Sequence, residues 1–315
     1  MFKKFMAKMG IGSAKVDLVL DKRDYDLGEL VQGQFRIEGG SVEQKINKLD
    51  VDLVLRMYVK GKEYSHLVSS IPVTSGFIIQ AGERKELPFT YELPYTLPLS
   101  RGGVTYSFQT RLDIAAGVDN LDQDVIQVHA PKKFNQLIEA FGTLGFREKM
   151  DSGKFNGYTQ EFELFPTTFF KDQLSEAEFE AAIDAHGIRI LLELDLLPSR
   201  FGLGEKEIKR EVYFSNEQLN DAEALSHLLR NVMEEMINNP AQYSASRYAS
   251  SHTGYGHRHG GGLAGAMGGF AAGMLGGMLL SDLLGGAEEE MEGAMGEGES
   301  EEDGGFDFFG GDDEF

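Results

Sequence analysis

Between residues 50 and 59 every second side chain is apolar and large: Val51, Leu53, Leu55, Met57 and Val59. Asp50, Asp52, Val54, Arg56 and Tyr58 lie between them. Successive side chains of a strand point to opposite faces, so a period of two commits one face to a core. Val104, Tyr106, Phe108, Thr110, Leu112 and Ile114 repeat the pattern, Val16, Leu18 and Leu20 begin it, and Leu30 to Ile37 extends it. Turn chemistry separates these runs at Asp26-Leu27-Gly28, Gly39-Gly40, Gly61, Ala81-Gly82 and Arg101-Gly102-Gly103. Short alternating strands with such punctuation predict an antiparallel β-sandwich over residues 14–130. Pro88, Pro94 and Pro98 each remove a backbone donor and belong on an edge or in a connection between sheets.

A boundary falls at Ala130-Pro131, and residues 131–240 read as a second β-sandwich with a terminal helix. Residues 134–145 read as a short helix or turn, and strands resume near 157–165. Ser175 with Glu178 has the form of a capping box, and Phe179 and Ile183 follow at helical spacing up to Gly187. This predicts an inserted helix. Ile188, Ile190, Leu192, Leu194 and Leu196 then alternate as a strand, and the last strand covers about 208–214. Ser215 with Gln218 forms another capping box. The helix it opens carries Leu225, Leu228, Leu229, Val232, Met236 and Ile237 on one stripe, up to the stop at Asn238-Asn239-Pro240.

Beyond Pro240 the composition changes. Residues 241–259 read as a flexible linker, 260–287 as a glycine-ridge helix and 288–315 as an acidic disordered tail. Gly261, Gly265, Gly269, Gly273 and Gly277 recur at every fourth position, leaving one helical face nearly bare. Such a helix is intrinsically poor and needs a second helix or a bilayer against that face. A bilayer span, an oligomer-forming or peripheral helix pair, and a low-complexity linker remain as readings; the regular spacing favours the helix pair. The tail ends with Phe306, Phe308, Phe309 and Phe315 among glycines and acids. Aromatic side chains are the usual anchors of small interfaces. The segment therefore reads either as a docking peptide, for a partner or for the protein's own β domains, or as a solubilising tail.

Charge excludes one class of partner. Thirteen of the acidic side chains behind the net charge of −21 lie in residues 288–315, which hold no Lys or Arg, leaving −8 for residues 1–287. Both parts repel a phosphate backbone, so nucleic-acid binding is not expected. The 315 residues contain no cysteine, which removes disulfides, thiol catalysis and thiolate-bound zinc, and fits a reducing cytoplasm. Residues 1–13 form a short basic amphipathic helix by pattern. Phe2, Phe5, Met6 and Met9 share a face and Lys3, Lys4 and Lys8 lie off it. That helix caps a domain, or Phe2, Lys3, Lys4 and Phe5 touch an anionic membrane surface.

Several stretches resemble one family. GIGSAKVDLVL at 10–20, GGSVEQKINKLDVDLVLR at 39–56, ELPFTYELPYTLP at 86–98 and LDQDVIQVHAP at 121–131 are similar to the bacterial sporulation-control proteins. FGTLGFRE at 141–148 and LLELDLLPSRFGLG at 191–204 fit as well. The resemblance implies two tandem arrestin-like antiparallel β-sandwiches. It also implies a non-enzymatic cytoplasmic protein that influences sporulation or cell-cycle entry through partners. The inserted segment 171–187, the glycine ridge and the acidic tail look like additions to that pattern.

No constellation carries chemistry. Asp119, Asn120, Asp122 and Asp124 have the oxygen spacing of a calcium loop but lack its central glycine and terminal glutamate, so they read as a polar interstrand turn. His252, His257 and His259 fall in the linker without fixed geometry. No Ser-His-Asp order and no phosphate loop is present. Paired carboxylates are too abundant in an acidic chain to signal anything. The sequence therefore predicts no catalytic residue, metal site or cofactor. The expected function is a cytoplasmic adaptor or regulator acting through protein contacts, with homo-oligomer formation and a peripheral contact at the inner membrane face as accompaniments. The alternative is a peripheral membrane or envelope-stress scaffold that oligomerises through the glycine ridge.

Overall fold

The computed structural model describes residues 12–59, 61–156, 159–198 and 206–244. The basic N-terminal segment with Phe2, Lys3, Lys4 and Phe5 lies outside the described residues. So do the linker histidines, the glycine ridge and the acidic tail with its phenylalanines.

The chain is mainly β. Its first half builds two sheets. One holds β1 (Lys15–Leu20), β3 (Leu30–Glu38) and β6 (Arg84–Glu92) in the order β1-β3-β6. The other holds β2 (Asp24–Asp26), β4 (Gln44–Val59), β5 (Lys62–Ile79), β7 (Val104–Ile114) and β8 (Asn120–His129) in the order β2-β8-β7-β4-β5. Val51, Leu53, Leu55, Met57 and Val59 are all buried, as are all six residues of the alternating run in β7. Inside, Phe89 meets Phe35 and Phe108 edge-on at 5.4 and 5.2 Å between ring centroids. Pro88 lies on β6, an edge strand, where its missing donor costs no ladder bond. Pro94 and Pro98 bracket the loop that carries the chain from one sheet to the other.

The 18-residue strand β5 has no clean alternation in the sequence, and the structure shows why. Its ladder with β4 shifts register twice, between Leu49 and Asp50 and between Leu53 and Val54. Each irregularity inserts a residue and flips the inward face, so a single period of two cannot run through the strand.

The second half forms one sheet of six strands. β10 (Lys154–Phe155), β11 (Gln160–Pro166), β12 (Leu174–Ile183), β13 (Gly187–Leu196) and β14 (Lys206–Ser215) follow in that order, and β9 (Phe146–Glu148) pairs with β11. Helices α1 (Lys132–Thr143), α2 (Asn216–Leu219) and α3 (Ala222–Asn238) complete it. α1 contributes Phe134, Leu137, Ala140 and Phe141 to the core, and α3 contributes Leu225, Leu229, Val232, Met233 and Met236.

The helix expected over 171–187 is instead strand β12, paired with β13 from Leu174 to Ile183 and with β11 from Ala177 to Glu180. Residues four apart share a face in a strand as they do in a helix, so Phe179 and Ile183 fit both structures. Ala177 and Ala181 decide between them: both are buried beside Phe179, giving alternation. Ser175 caps nothing; its hydroxyl donates to the Asp195 carbonyl across the strand pair. Phe179 stacks between Phe141 and Phe162 at 5.4 and 5.2 Å, among the buried residues of the second half.

The Ser215–Gln218 capping box is formed reciprocally, as its spacing predicts. The helix it opens is short. The chain restarts at Asp221, whose carboxylate accepts from the Ala224 N–H and caps α3.

Candidate functional site

Two features combine polar chemistry with burial: the junction between the domains and the outer face of the second sheet.

At the junction the backbone of residues 99–103 meets β10 and β11. Gln160 is 3% exposed and its amide is fully used. Its Oε1 accepts from the Leu99 N–H at 2.6 Å, and its Nε2 donates to the carbonyls of Leu99 and Gly153 at 2.9 and 3.0 Å. Arg101 bonds Glu148 at 2.7 Å and lies over the Phe162 ring. Gly102 has φ +62°, and a Cβ there would stand 2.5 Å from both the Gly153 carbonyl oxygen and the Lys154 Cα. Only glycine permits that approach of two backbones. The Tyr106 hydroxyl donates to the Pro98 carbonyl at 2.6 Å, holding the same loop from the first core.

Beside this clasp lies a shallow apolar depression whose walls are almost fully closed by packing. Tyr95, Leu97 and Leu99 of the first domain line one side, and Phe134, Phe162 and Ile183 of the second line the other. The Lys133 ammonium sits 5.0 Å from the centre of the Tyr95 ring and donates to the Asp184 carbonyl. Burial lowers its pKa from the ordinary lysine value.

The second feature is a lattice of carboxyls. The strand register sets Glu161 opposite Glu180 and Glu163 opposite Glu178. It also sets Glu178 opposite Glu193, Glu176 opposite Asp195, and Asp195 opposite Glu207. Like charges directly opposed across strands are destabilising. Two lysines offset part of the repulsion: Lys149 pairs with Glu163 and Glu176, and Lys209 pairs with Glu193 at 2.6 Å. Burial, with Glu161, Glu176, Glu193 and Glu163 around it, pushes Glu178 up to about 8. Burial and Glu161 raise Glu180 to about 7. For Glu193, burial outweighs the Lys209 ammonium and, with Glu207 nearby, raises it to about 7. The oxygens of Glu163, Glu176 and Glu178 converge within 4.8 Å, as do those of Glu193, Asp195 and Glu207. In both groups a lysine ammonium already supplies positive charge.

The residues singled out at 119–124 have a structural role. Asn120 Oδ1 and Asp122 Oδ2 accept from the Val16 and Leu18 N–H groups, each at 2.8 Å. They lace β8 to the edge of β1 that β3 leaves unpaired. Asp119 accepts from the Ile114 N–H. The expected interstrand turn is thus confined to the residues before Asn120, and the rest is strand. Asp124, buried beside Asp122 and Asp17, is raised to about 7. The five glycines of the ridge and the four terminal phenylalanines fall outside the described residues and are not placed in either feature. Sequence reasoning missed the carboxyl face. The signal was present as Glu161/Glu163, Glu176/Glu178/Glu180 and Glu193/Asp195, every second residue, but it becomes legible only once residues 174–183 are a strand.

Among the described residues no helix is long and apolar enough to cross a membrane.

The comparisons with known proteins agree with one another. The sporulation-control protein spo0M of Bacillus subtilis (strain 168) is 34% identical over 254 residues, covering 74% of this chain and 98% of that one. The crystal structure of Spo0M from Bacillus subtilis aligns with a TM-score of 0.59 at 32% identity, covering 71% of this chain and 99% of that one. The SpoOM protein (Spo0M) family profile matches residues 2–197, and the chain belongs to that family.

Proposed function

We propose that this chain is a regulator of sporulation that works by protein contact and not by catalysis. The observation that carries the reading is the match to a sporulation-control protein along 98% of that protein's length. The clasp at Gln160 and Gly102 supports a contact role, since it ties the two halves of the chain together by side-chain and backbone contacts. Groups already tied in place lose less entropy when a partner binds. In this reading the protein acts in the cytoplasm on protein partners, without a cofactor. The test is disruption of the gene in its own host, with complementation by the intact chain and by Gly102→Ala. The expected result is a changed sporulation frequency, restored fully by the intact chain and less by the variant. An unchanged frequency in the disrupted strain sinks the proposal.

The glycine ridge favours a second reading, a peripheral membrane or envelope-stress scaffold assembled through Gly261, Gly265, Gly269, Gly273 and Gly277. Liposome co-flotation of the intact chain separates the two: flotation on both neutral and anionic vesicles supports the scaffold, and none supports the soluble regulator.

A further inference from the structure

We propose that residues 245–259 of this chain dock in cis along the outer edge of β14 and over the carboxyl face beside it, with Arg247 and Arg258 as the anchoring cations. The inference goes beyond the regulatory reading and stands without it.

Three observations carry it. The first is a strand already begun. β14 is the last strand of the second sheet, so its outer edge has no neighbouring strand there. Ser244 nevertheless forms an antiparallel bridge with Ile208, and the Lys209 N–H donates to the Tyr243 carbonyl at 2.7 Å. In an antiparallel ladder of that register the next hydrogen-bonded pair is residue 245 with Glu207. Continuing it would satisfy the edge groups of Glu207, which an open sheet edge otherwise presents to other chains. Ile208 points into the core and Ser244 lies opposite it. Alternation therefore sets residues 245 and 247 on the side of the Glu207 carboxylate.

The second is charge. Helix α1 packs on the other side of the sheet, where Phe134 and Phe141 meet Phe162 and Phe179. The outer side carries the carboxyl lattice. Lys149, Lys209 and Arg189 there are already engaged, with Glu163 and Glu176, with Glu193 and with Glu211. Glu161, Glu178, Glu180 and Glu207 form no ion pair among the described residues, and Glu207, next to the bridge, is exposed. The segment that leaves Ser244 supplies the complement. Residues 245–281 contain no Asp or Glu, and they carry Arg247 and Arg258 together with His252, His257 and His259. A guanidinium forms strong charge-assisted bonds to carboxylates. Its arrival would also offset the crowding that raises Glu178 and Glu180.

The third is reach. Arg247 follows Ser244 by three residues, roughly 10 Å of extended chain, which spans the interval of about 4.8 Å from β14 to β13. Arg258 follows by fourteen residues, ample for the roughly 15 Å from β14 to β11. A segment tethered beside its site acts at high effective concentration, ahead of any separate basic partner.

The test is hydrogen–deuterium exchange of the full-length protein, read by mass spectrometry on peptides covering residues 245–259. Docking in cis predicts exchange slowed about tenfold or more below the intrinsic rates, independent of protein concentration. Arg247→Glu should reduce that protection several-fold, and adding Glu207→Arg should restore most of it. Arg247→Glu alters no residue of the described domains, so its result stands if Glu207→Arg fails to fold. Exchange at the intrinsic rates in the unsubstituted chain overturns the proposal. Protection indifferent to Arg247→Glu overturns it too, as does protection that Glu207→Arg fails to restore in a folded protein. Protection lost on dilution, because another copy supplies the segment, overturns docking in cis.

Discussion

Gln160 holds both backbone hydrogen-bonding groups of Leu99, 61 residues away: its Oε1 accepts from the Leu99 N–H at 2.6 Å while its Nε2 donates to the Leu99 carbonyl at 2.9 Å. One side-chain amide thus replaces a pair of ladder bonds at the domain junction, where no strand is available to make them. Buried backbone groups need such partners.

Gln160→Leu keeps the approximate size of the side chain and leaves the Leu99 N–H and the Gly153 carbonyl without it, while the Leu99 carbonyl keeps the Arg101 N–H. Each buried group left unsatisfied costs about 1–3 kcal/mol. Urea unfolding should show a loss of at least about 2 kcal/mol. Unchanged stability would mean that water reaches the junction.

Gly102→Ala tests the backbone approach. A left-handed conformation costs a residue with a Cβ about 1–2 kcal/mol. The Cβ would also meet the Gly153 carbonyl oxygen and the Lys154 Cα at 2.5 Å. Gly61 is the control: its φ is +82°, and a Cβ there would meet nothing within 4 Å. The melting temperature should fall clearly further for Gly102→Ala than for Gly61→Ala, because only the former forces the two domains apart.

Phe179 stacks against both Phe141 and Phe162. Phe179→Ala should cost about 3–5 kcal/mol, the range for a buried phenylalanine in a rigid core. Denaturant titration measures it. A loss below about 1 kcal/mol would place residue 179 on a surface, as the mistaken helix reading would allow.

The carboxyl face makes stability depend on pH with a definite sign. Glu178 moves from its ordinary 4.5 up to about 8 in the folded protein, and Glu180 and Glu193 move from 4.5 to about 7. Between those values the folded state holds protons that the unfolded chain has released. Stability therefore falls as pH rises from about 4.5 to about 8 and levels off above that. Asp124, raised from 3.8 to about 7, adds to the same trend. Glu178→Gln should flatten the dependence of the urea midpoint between pH 6 and pH 8 and raise the midpoint at the upper end. A midpoint that climbs with pH in the unsubstituted protein would contradict the charge arrangement.

By itself the sequence determined the first sandwich and most strands of the second domain. Val51 to Val59, Val104 to Ile114 and Ile188 to Leu196 place large side chains at every second position, the period that a strand with a buried face requires. The Ser215–Gln218 box was equally legible, because a capping box is a local contact completed within four residues. The same motif failed at Ser175 and Glu178. There the partners β11 and β13 lie on either side, and ladder bonds to both outweigh one turn of helix. Strand β5 was hidden by its two register shifts, which pairing with β4 makes possible and a linear pattern cannot display. Tertiary structure alone brought Gln160 to Leu99 and set five acidic pairs opposite one another. Local periodicity states which face of a strand is buried; which strands become neighbours, and which charges must then share a face, is decided by packing between residues far apart in the chain.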